Sequence, residues 1–218
     1  MACREWRVQL YQEQKDNFWP PAGRHILAQY DDDTVVVYQA FCPNIADYAV
    51  KNQRFGGDHF SYARMSWIKT NFLWMMFRCG WASKKNQERV LAVRIKREGF
   101  NHILSKAVTG AQEKELGCGS SDVRLQWDPD HNPHGGPMKR RAIQLGMKNE
   151  VLSKYGQEWI VGITDITPFV LEQYRFVECD QLDRLMVAEE RVYHVTSPAT
   201  ALQLQVDSLD PVCSDSAT

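Results

Sequence analysis

Alternation of apolar and polar residues predicts several β-strands. The clearest lies at residues 34–41, where Val and Tyr favour a strand and the two-residue period places Val35, Val37 and Gln39 on one face. The opposite face of this strand would carry Val36, Tyr38 and Ala40. The predicted strands are residues 24–30, 34–41, 87–97, 122–127, 158–166 and 192–195.

Short helical segments separate these strands. Asn44 and Thr70 are candidate N-terminal caps, because Asn and Thr side chains accept hydrogen bonds from the first free N–H groups of a helix. Gly80 is placed to end the second helix. The predicted helices are residues 43–53, 71–78, 100–108, 138–155, 168–175 and 182–190. Clusters of Gly, Pro and Ser predict loops at 109–121 and 128–137.

This order of elements predicts an α+β fold with one or two mostly antiparallel sheets and short helices. Strands and helices do not alternate regularly, and no Gly-x-Gly-x-x-Gly motif follows a strand, so a doubly wound parallel sheet is disfavoured. We expect a single compact domain at residues 24–195, preceded by an N-terminal extension at 1–23. Residues 196–218 are rich in Ser, Asp and Pro towards their end and predict a disordered tail.

Composition limits the function classes. The chain has 218 residues, 44% of them hydrophobic, which is enough to bury a core without disulfides. Lys and Arg number 26 against 27 Asp and Glu, a net charge of -1, which excludes a strongly basic nucleic-acid-binding domain. The cations are concentrated at 64–85 and 139–141, so a small phosphate-bearing ligand in one basic pocket remains compatible with this balance.

Cysteine spacing and hydropathy favour the cytoplasm or the nucleus. No two of the six cysteines lie within thirty residues of each other and no Cys-x-x-Cys pair occurs, so we expect reduced thiols. The first residues are charged and polar, unlike a signal peptide, and the longest apolar run, residues 71–77, is too short to span a membrane. We therefore expect no membrane partner.

Polar residues of suggestive types occur around the end of the first clear strand and before the second helix. Tyr38 and Gln39 lie where a strand precedes a helix, and the Gln amide suits an amide or a base edge. Arg64 and Lys69 flank Trp67 near a helix start, which favours a phosphate or carboxylate with a planar ring. The alternatives are a Gln39 satisfied by the sheet backbone and solvated surface cations.

A second group lies on the strand at 122–127 and beyond it. Alternation places Arg124, Gln126 and Asp128 on one face, with apolar residues behind them. Arg141 and Gln144 follow downstream and offer a further cation and amide. A structural ion pair between Arg141 and Asp128 is the alternative interpretation.

Familiar catalytic and metal signatures are missing from the sequence. It has no Gly-x-x-x-x-Gly-Lys phosphate loop, no His-Glu-x-x-His and no Gly-x-Ser-x-Gly. His131 and His134 occur with two aspartates in a Pro- and Gly-rich segment, where a solvated turn is the simpler interpretation. We expect no metal.

Six blocks of sequence, in the same order along the chain, resemble the family called domain of unknown function 4291. The blocks are VYQAF at 37–41, RMSWIK at 64–69, FLWMMFR at 72–78, QERVLA at 87–92, QWDP at 126–129 and RAIQLG at 141–146. The resemblance spans residues 4–195, and Thr70 departs from it by standing where the family has a proline. It implies one compact domain with enzymatic activity.

The first half of the chain also resembles, more distantly, the opening of ADP-ribosyltransferase-type folds. In those folds a strand ending in Tyr and then Arg or His leads into a helix and a Gly-containing turn. Residues 36–40, 45–50 and 54–56 take these places here, with Gln39 where the Arg or His binds the NAD ribose. The resemblance implies NAD as a cofactor and a late catalytic glutamate. The candidates for that glutamate are Glu158, Glu172 and Glu189.

We therefore expect a nucleotide-dependent enzyme, an NAD-using transferase similar to ADP-ribosyltransferases. Its candidate catalytic residues are Gln39, Asp128 and Gln126. Its candidate ligand-binding residues are Tyr38, Arg64, Trp67, Lys69, Arg124, Arg141 and Gln144. Two alternatives remain open. Basic and aromatic residues interleaved between 64 and 85 suit an RNA-binding or RNA-processing protein, and the third option is an interaction module without catalysis.

Overall fold

Twelve strands and eight α-helices make up the part of the chain that the computed structural model describes, residues 6–115 and 121–208. The strands are β1 Val8–Leu10, β2 Gly23–Arg24, β3 Leu27–Ala28, β4 Thr34–Phe41, β5 Ser66–Lys69, β6 Arg89–Lys96, β7 Ala107–Thr109, β8 Val123–His131, β9 Pro137–Met147, β10 Ile160–Asp165, β11 Met186–Ala188 and β12 Arg191–Val192. The helices are α1 Tyr11–Asn17, α2 Pro43–Asn52, α3 Phe72–Cys79, α4 Arg97–Lys106, α5 Gly110–Glu115, α6 Asn149–Lys154, α7 Thr167–Glu178 and α8 Pro198–Leu204. A π-helical turn, Tyr155–Trp159, continues α6.

One eight-stranded sheet organises the domain. Its main path runs β10-β6-β4-β5-β9-β8-β7, and β2 pairs with β9 away from that path. The β2–β9 and β7–β8 pairs are parallel and the others are antiparallel. Two small sheets, β1–β11 and β12–β3, join distant parts of the chain. The expected α+β fold with mostly antiparallel sheets is confirmed.

The sheet carries a hydrophobic core on each face. Successive side chains of β4 alternate between the two cores: Val35 and Val37 lie in one, and Val36 and Tyr38 lie in the other. The core on the Val36 side is covered by α3 and α7, and the core on the Val35 side by α2, α4 and α6. The alternation predicted for residues 34–41 is therefore confirmed, and two-sided burial explains why the strand is apolar throughout.

A break in the sheet lies between its central strands. Along β4, every residue from Thr34 to Phe41 pairs with β6, but only Tyr38 pairs with β5, opposite Lys69. Beyond that pair the two strands separate, so the ends of β4 and β5 bound an opening rather than a continuous ladder. The candidate site lies at this opening.

Helix α3 forms one wall beside that opening, and local sequence fixes both of its ends. Asn71 is the N-cap, and its side-chain oxygen accepts a hydrogen bond from Trp74 N at 2.7 Å. Gly80 ends the helix in a left-handed conformation with φ of 59°, as expected. The cap predicted at Thr70 is wrong by one residue, and in α2 the cap is Cys42 rather than Asn44.

Residues 128–147 form a long hairpin, which corrects the predicted loop at 128–137 and the first part of the predicted helix at 138–155. Strand β8 continues through Pro129, where the β8–β9 pairing is irregular, and the chain turns before β9 begins at Pro137. Met, Lys, Arg, Ala and Gln favour a helix locally, but pairing on both sides of β9 overrides that preference. The predicted helix at 182–190 is likewise wrong, since β11 lies there and pairs with β1.

Both ends of the described chain pack into the fold. In the predicted extension at 1–23, the side chains of Tyr11 and Trp19 are buried in the core beside α3. In the predicted disordered tail at 196–218, residues Pro198–Leu204 form α8, and Leu204 is fully buried. The tail prediction is therefore wrong for that helix, and residues 209–218 lie outside the described residues.

Other expectations concern loops, thiols and membranes. The predicted loop at 109–121 includes α5 and the end of β7, while 116–120 lie outside the described residues. The cysteines within the described ranges are free: Cys42, Cys79 and Cys179. The other cysteines, at positions 3, 118 and 213, lie outside those ranges. None of the helices in residues 6–115 and 121–208 is long and apolar enough to cross a membrane.

Candidate functional site

A cavity of about 360 Å³ opens where β4 and β5 separate. Strands β5, β9 and β8 provide its floor, the end of β4 provides one side, and α3 provides another through Met75 and Arg78. Polar groups predominate in the lining, and many of them are amides and cations rather than the apolar side chains common in ligand pockets. The cavity is therefore suited to a polar, charged ligand.

Lys69 is the most unusual residue of the cavity. Only 7% of it is exposed, yet no hydrogen bond or ion pair joins its ammonium group to any described residue. Burial, and then the nearby Arg78, lower the pKa of Lys69 from 10.5 to about 8, while Cys79 and Asp128 act in the opposite direction. Its ammonium is not one of the fully enclosed polar atoms that lack a partner, so it faces the cavity, where a ligand can reach it. A largely buried cation that opens into a cavity is a marker of function.

Arg78 provides a second cation on the cavity wall. It lies in the last turn of α3 and is exposed, and within the described residues its guanidinium makes no ion pair. Arg78 was not among the predicted site residues. Asn71, seven residues earlier, is buried and hydrogen-bonded to Glu190, so of these two residues it is Arg78 that reaches the cavity.

A row of polar side chains crosses the floor of the cavity. Lys69 is paired with Gln144 on β9, and Gln144 is paired with Gln126 on β8. Gln144 Nε2 donates hydrogen bonds to Gln126 Oε1 at 2.8 Å and to Asp128 Oδ2 at 2.5 Å. Asp128 thus lies one hydrogen bond away from the cavity lining, and its carboxylate holds the Gln144 amide in place.

Trp67 lies in the next row of the same floor. Its partners across the sheet are Gly146 on β9 and, beyond it, Arg124 on β8. A Cβ atom at Gly146 would lie 2.8 Å from Trp67 Cε2 and 2.7 Å from Met65 Sδ, so the indole covers this glycine closely. The absence of a side chain at position 146 lets the ring lie across the sheet, where it forms part of the cavity.

Gln39 forms part of the cavity wall but its amide is fully used by the protein. Its Nε2 donates to Ser66 Oγ at 2.9 Å and to the Trp67 carbonyl at 3.1 Å, and its Oε1 accepts a bond from the Tyr155 hydroxyl at 2.7 Å. Burial raises the pKa of Tyr155 well above its ordinary value, so this hydroxyl stays a donor. Gln39 therefore bridges the gap between the separating strands and holds Trp67 in position.

The structure brings together five of the predicted site residues in the cavity lining: Gln39, Trp67, Lys69, Gln126 and Gln144. Asp128 lies directly beside them. Besides Arg78, the lining includes Gln87 and Ser66, which were not among the predicted site residues. Gln87 was predicted as the first residue of the strand at 87–97 and in the structure precedes that strand, so its place in the cavity depends on the fold.

Four predicted ligand-binding residues lie elsewhere. Tyr38 is fully buried in the core, where its hydroxyl accepts a hydrogen bond from Trp6 at 3.2 Å. Arg124 is paired with Glu113 at 3.0 Å. Arg64 and Arg141 are exposed and do not line the cavity.

The expected anion site at the start of α3 is occupied by the protein itself. Glu190 is buried and accepts a hydrogen bond from Phe72 N, the first helical residue, at 2.6 Å. Burial raises the pKa of Glu190 well above its ordinary value, with Asp130 adding to the rise and Phe72 N opposing it. The predicted phosphate site therefore does not involve this helix N-terminus, and the cations of the cavity must act without it.

One buried ion pair accounts for two other polar residues of the hairpin, and it is not the pair that was expected. The alternative ion pair between Arg141 and Asp128 does not form, because β8–β9 register places Arg141 opposite Pro129. Arg140 is instead bonded to Asp130 at 2.6 Å, and both are buried. Burial raises the pKa of Asp130, and Arg140 opposes that rise.

The two histidines near the hairpin turn, His131 and His134, contact different parts of the protein. His131 is buried and stacked on Phe77 with ring centroids 3.5 Å apart, whereas His134 contacts Asp180 at 3.2 Å. No cluster of three or more His, Cys, Asp or Glu suited to a metal occurs within residues 6–115 and 121–208.

Comparison with known proteins places the chain in a family. No curated protein matches its sequence. A family model described as a domain of unknown function, DUF4291, matches residues 25–193, which include every residue of the cavity lining. Because that match covers most of the 218 residues, the chain belongs to the DUF4291 family.

Proposed function

We propose that the protein is a nucleotide-dependent enzyme whose ligand occupies the cavity between β4, β5 and α3. The observation that carries this proposal is Lys69, a cation that is 7% exposed and lacks any partner in the described chain. Arg78 lies on the α3 wall of the same cavity, and within the described residues it makes no ion pair. Two such cations in a recessed site would be satisfied by an anionic ligand, for which a phosphate group has the right charge and acceptor oxygens.

The rest of the cavity supports a nucleotide rather than a simple anion. Trp67 presents an aromatic surface on the cavity floor, and the amides of Gln126 and Gln144 stand beside it. Aromatic rings bind nucleobases by stacking, and amides bind base edges. A volume of about 360 Å³ is at the lower end for ligand pockets, which suits a mononucleotide or one half of a dinucleotide.

Transfer from NAD is the reaction that we propose to test first. Such a reaction breaks the bond between the ribose and nicotinamide, and it needs a carboxylate near the positive charge that develops on the ribose. Asp128 uses Oδ2 to bind Gln144, which leaves Oδ1 without a described partner for this purpose. A recessed cavity also favours an enzyme over a flat interaction module.

Titration calorimetry with NAD, adenosine diphosphate and inorganic pyrophosphate tests the binding site. Wild-type protein should bind all three, and Lys69→Met and Arg78→Met should each weaken binding by about tenfold, because each removes a charge-assisted contact. Lys51→Met is the matched control, since Lys51 is exposed on α2 and lies outside the cavity lining. A protein that binds none of these three ligands would refute the proposal.

Release of nicotinamide from NAD tests the reaction separately. Wild-type protein should release nicotinamide, or attach labelled ADP-ribose to an acceptor, and Asp128→Leu should reduce the rate. If the protein binds NAD but forms neither product, the proposed transferase activity is rejected and the proposed nucleotide binding stands.

RNA binding is the second candidate function. The positions of the basic and aromatic residues between 64 and 85 support it less well than they support a nucleotide site. Trp81 is 6% exposed and cannot stack on a base, and two of the three donors of the Lys84 ammonium bind carbonyls at the end of α3. The test is the affinity for single-stranded RNA as salt is raised. A steep fall in affinity with salt would revive this candidate.

A further inference from the structure

The amides on the cavity floor have a fixed orientation, and Asp128 is the cause. A carboxylate accepts hydrogen bonds and has no proton to donate. The side-chain group of Gln144 that approaches Asp128 Oδ2 at 2.5 Å must therefore be its NH₂. The same NH₂ also donates to Gln126 Oε1 at 2.8 Å, so both of its hydrogens are used.

This orientation leaves one donor and one acceptor for a ligand. Gln126 Oε1 is occupied, and its NH₂ has no hydrogen-bond partner within the described chain. Gln144 Oε1 also lacks a described partner, because only the NH₂ of that side chain is bonded. Both residues line the cavity, and they face each other across β8 and β9.

The row of Trp67 and Gly146 indicates how a ligand would approach the amides of Gln126 and Gln144. Trp67 lies across Gly146, one row along the floor from the Gln126–Gln144 pair. A planar ring stacked on the indole would lie along the sheet, with its edge towards the amides and its substituent free to reach Lys69. An edge that matches them must offer an acceptor to Gln126 and a donor to Gln144.

We infer that this site selects adenine, and that Asp128 is the positioning residue that sets the selectivity. Adenine presents a ring nitrogen that accepts and an amino group that donates on both its Watson–Crick and its Hoogsteen edge. Hypoxanthine has an oxygen acceptor in place of the amino group and a protonated ring nitrogen, N1–H, beside it. Its Watson–Crick edge therefore offers the donor and the acceptor in exchanged positions, and its Hoogsteen edge offers acceptors alone. The inference rests on the proposed nucleotide site, which it narrows to nucleotides whose base carries an amino group beside a ring acceptor, as adenine does.

Paired titrations with adenosine diphosphate and inosine diphosphate test the inference. Wild-type protein should bind the adenine nucleotide about tenfold more tightly, as expected for one well-formed pair of base contacts. Asp128→Leu removes the acceptor that fixes Gln144, so the two amides can rotate together, and the preference should fall below about threefold. Asp128→Asn has an NH₂ that can donate to Gln144, so it no longer fixes the orientation and should also lower the preference.

Inorganic pyrophosphate separates positioning from folding. Its affinity should not fall in Asp128→Leu, because Lys69 and Arg78 remain in place and the lost carboxylate is a negative charge close to Lys69. Equal wild-type binding of the two diphosphates would overturn the adenine inference and leave the nucleotide site standing. A preference that persists in Asp128→Leu would overturn the role of Asp128. Failure to bind any nucleotide would refute both proposals.

Nicotinamide mononucleotide provides the remaining control, since its carboxamide also combines a donor with an acceptor. Adenosine monophosphate carries the same phosphate and should bind more tightly. Tighter binding of nicotinamide mononucleotide would assign the amides to a carboxamide instead and would overturn the inference.

Discussion

Replacing Lys69 by methionine should make the protein more stable while weakening ligand binding by about tenfold. The lysine is 7% exposed and has no described partner, so the folded protein bears the cost of burying its charge. Methionine has a similar length and no charge, and it can pack beside Met75 on the cavity wall. A lysine that held the fold together would give the opposite result.

The lowered pKa of Lys69 gives the size of the expected change in the free energy of unfolding. Each pKa unit corresponds to about 1.4 kcal/mol, so a fall from 10.5 in the unfolded chain to about 8 in the fold corresponds to about 3 kcal/mol at pH 7. Between pH 8 and 10.5 the unfolded chain holds the proton more tightly than the folded protein does. Wild-type stability should therefore rise with pH in this window, and the advantage of Lys69→Met should shrink to about 1 kcal/mol at pH 9.5.

Urea unfolding followed by tryptophan fluorescence at pH 7.0 and pH 9.5 measures this difference. Arg78→Met is the control, because Arg78 is exposed and its loss should change the free energy of unfolding by less than about 0.5 kcal/mol. A Lys69→Met variant that is less stable than wild type at pH 7, or whose advantage does not depend on pH, would refute the reasoning.

Three further predictions concern the same site. Nucleotide affinity should fall by about fivefold to tenfold between pH 7.5 and 9, measured by calorimetry, because Lys69 loses its charge near pH 8; a constant affinity would remove Lys69 from the contact. Gly146→Ala should displace the indole of Trp67, whose Cε2 would lie 2.8 Å from the new Cβ, and should weaken binding and shift the fluorescence spectrum; unchanged binding would show that the ligand does not stack there. Tyr155→Phe should lower the free energy of unfolding by about 1–3 kcal/mol in urea titration, because it leaves Gln39 Oε1 buried without its donor; a neutral effect would mean that this oxygen finds another partner.

Much of the fold could be predicted from the periodicity of the sequence. Strands β4 and β6 were located because both of their faces are buried and their Val-rich runs have no competing helical pattern. The helical prediction at 138–155 failed over residues 138–147, because residues such as Arg140 and Gln144 favour a helix locally; its second part contains α6. Their pairing with β8 depends on contacts across the turn, which local propensity does not report.

The candidate site was predicted in part for similar reasons. Residue types identified Lys69, Trp67 and Gln126, since cations, aromatic rings and amides suit a nucleotide wherever they meet. Sequence could not show that Arg124 would be neutralised by Glu113, or that Arg78 would reach the cavity from α3. Whether a cation has an acidic partner depends on which residues the fold places beside it.

Residues on both sides of the family match at 25–193 are packed into the core, so the folded domain is longer than that match. A chain cut to residues 25–193 would lose Gln14, whose buried amide bonds the Ala188 carbonyl and Glu190 N, and would leave those groups unsatisfied. It would also lose β1, the strand that pairs with β11 in the described chain, and the α8 residue Leu204, which the core encloses. Recombinant versions trimmed to the matched region are therefore poor choices for the binding assays. Suitable versions begin at Val8 or earlier and extend at least to Leu204, which is 17 residues before that region and 11 after it.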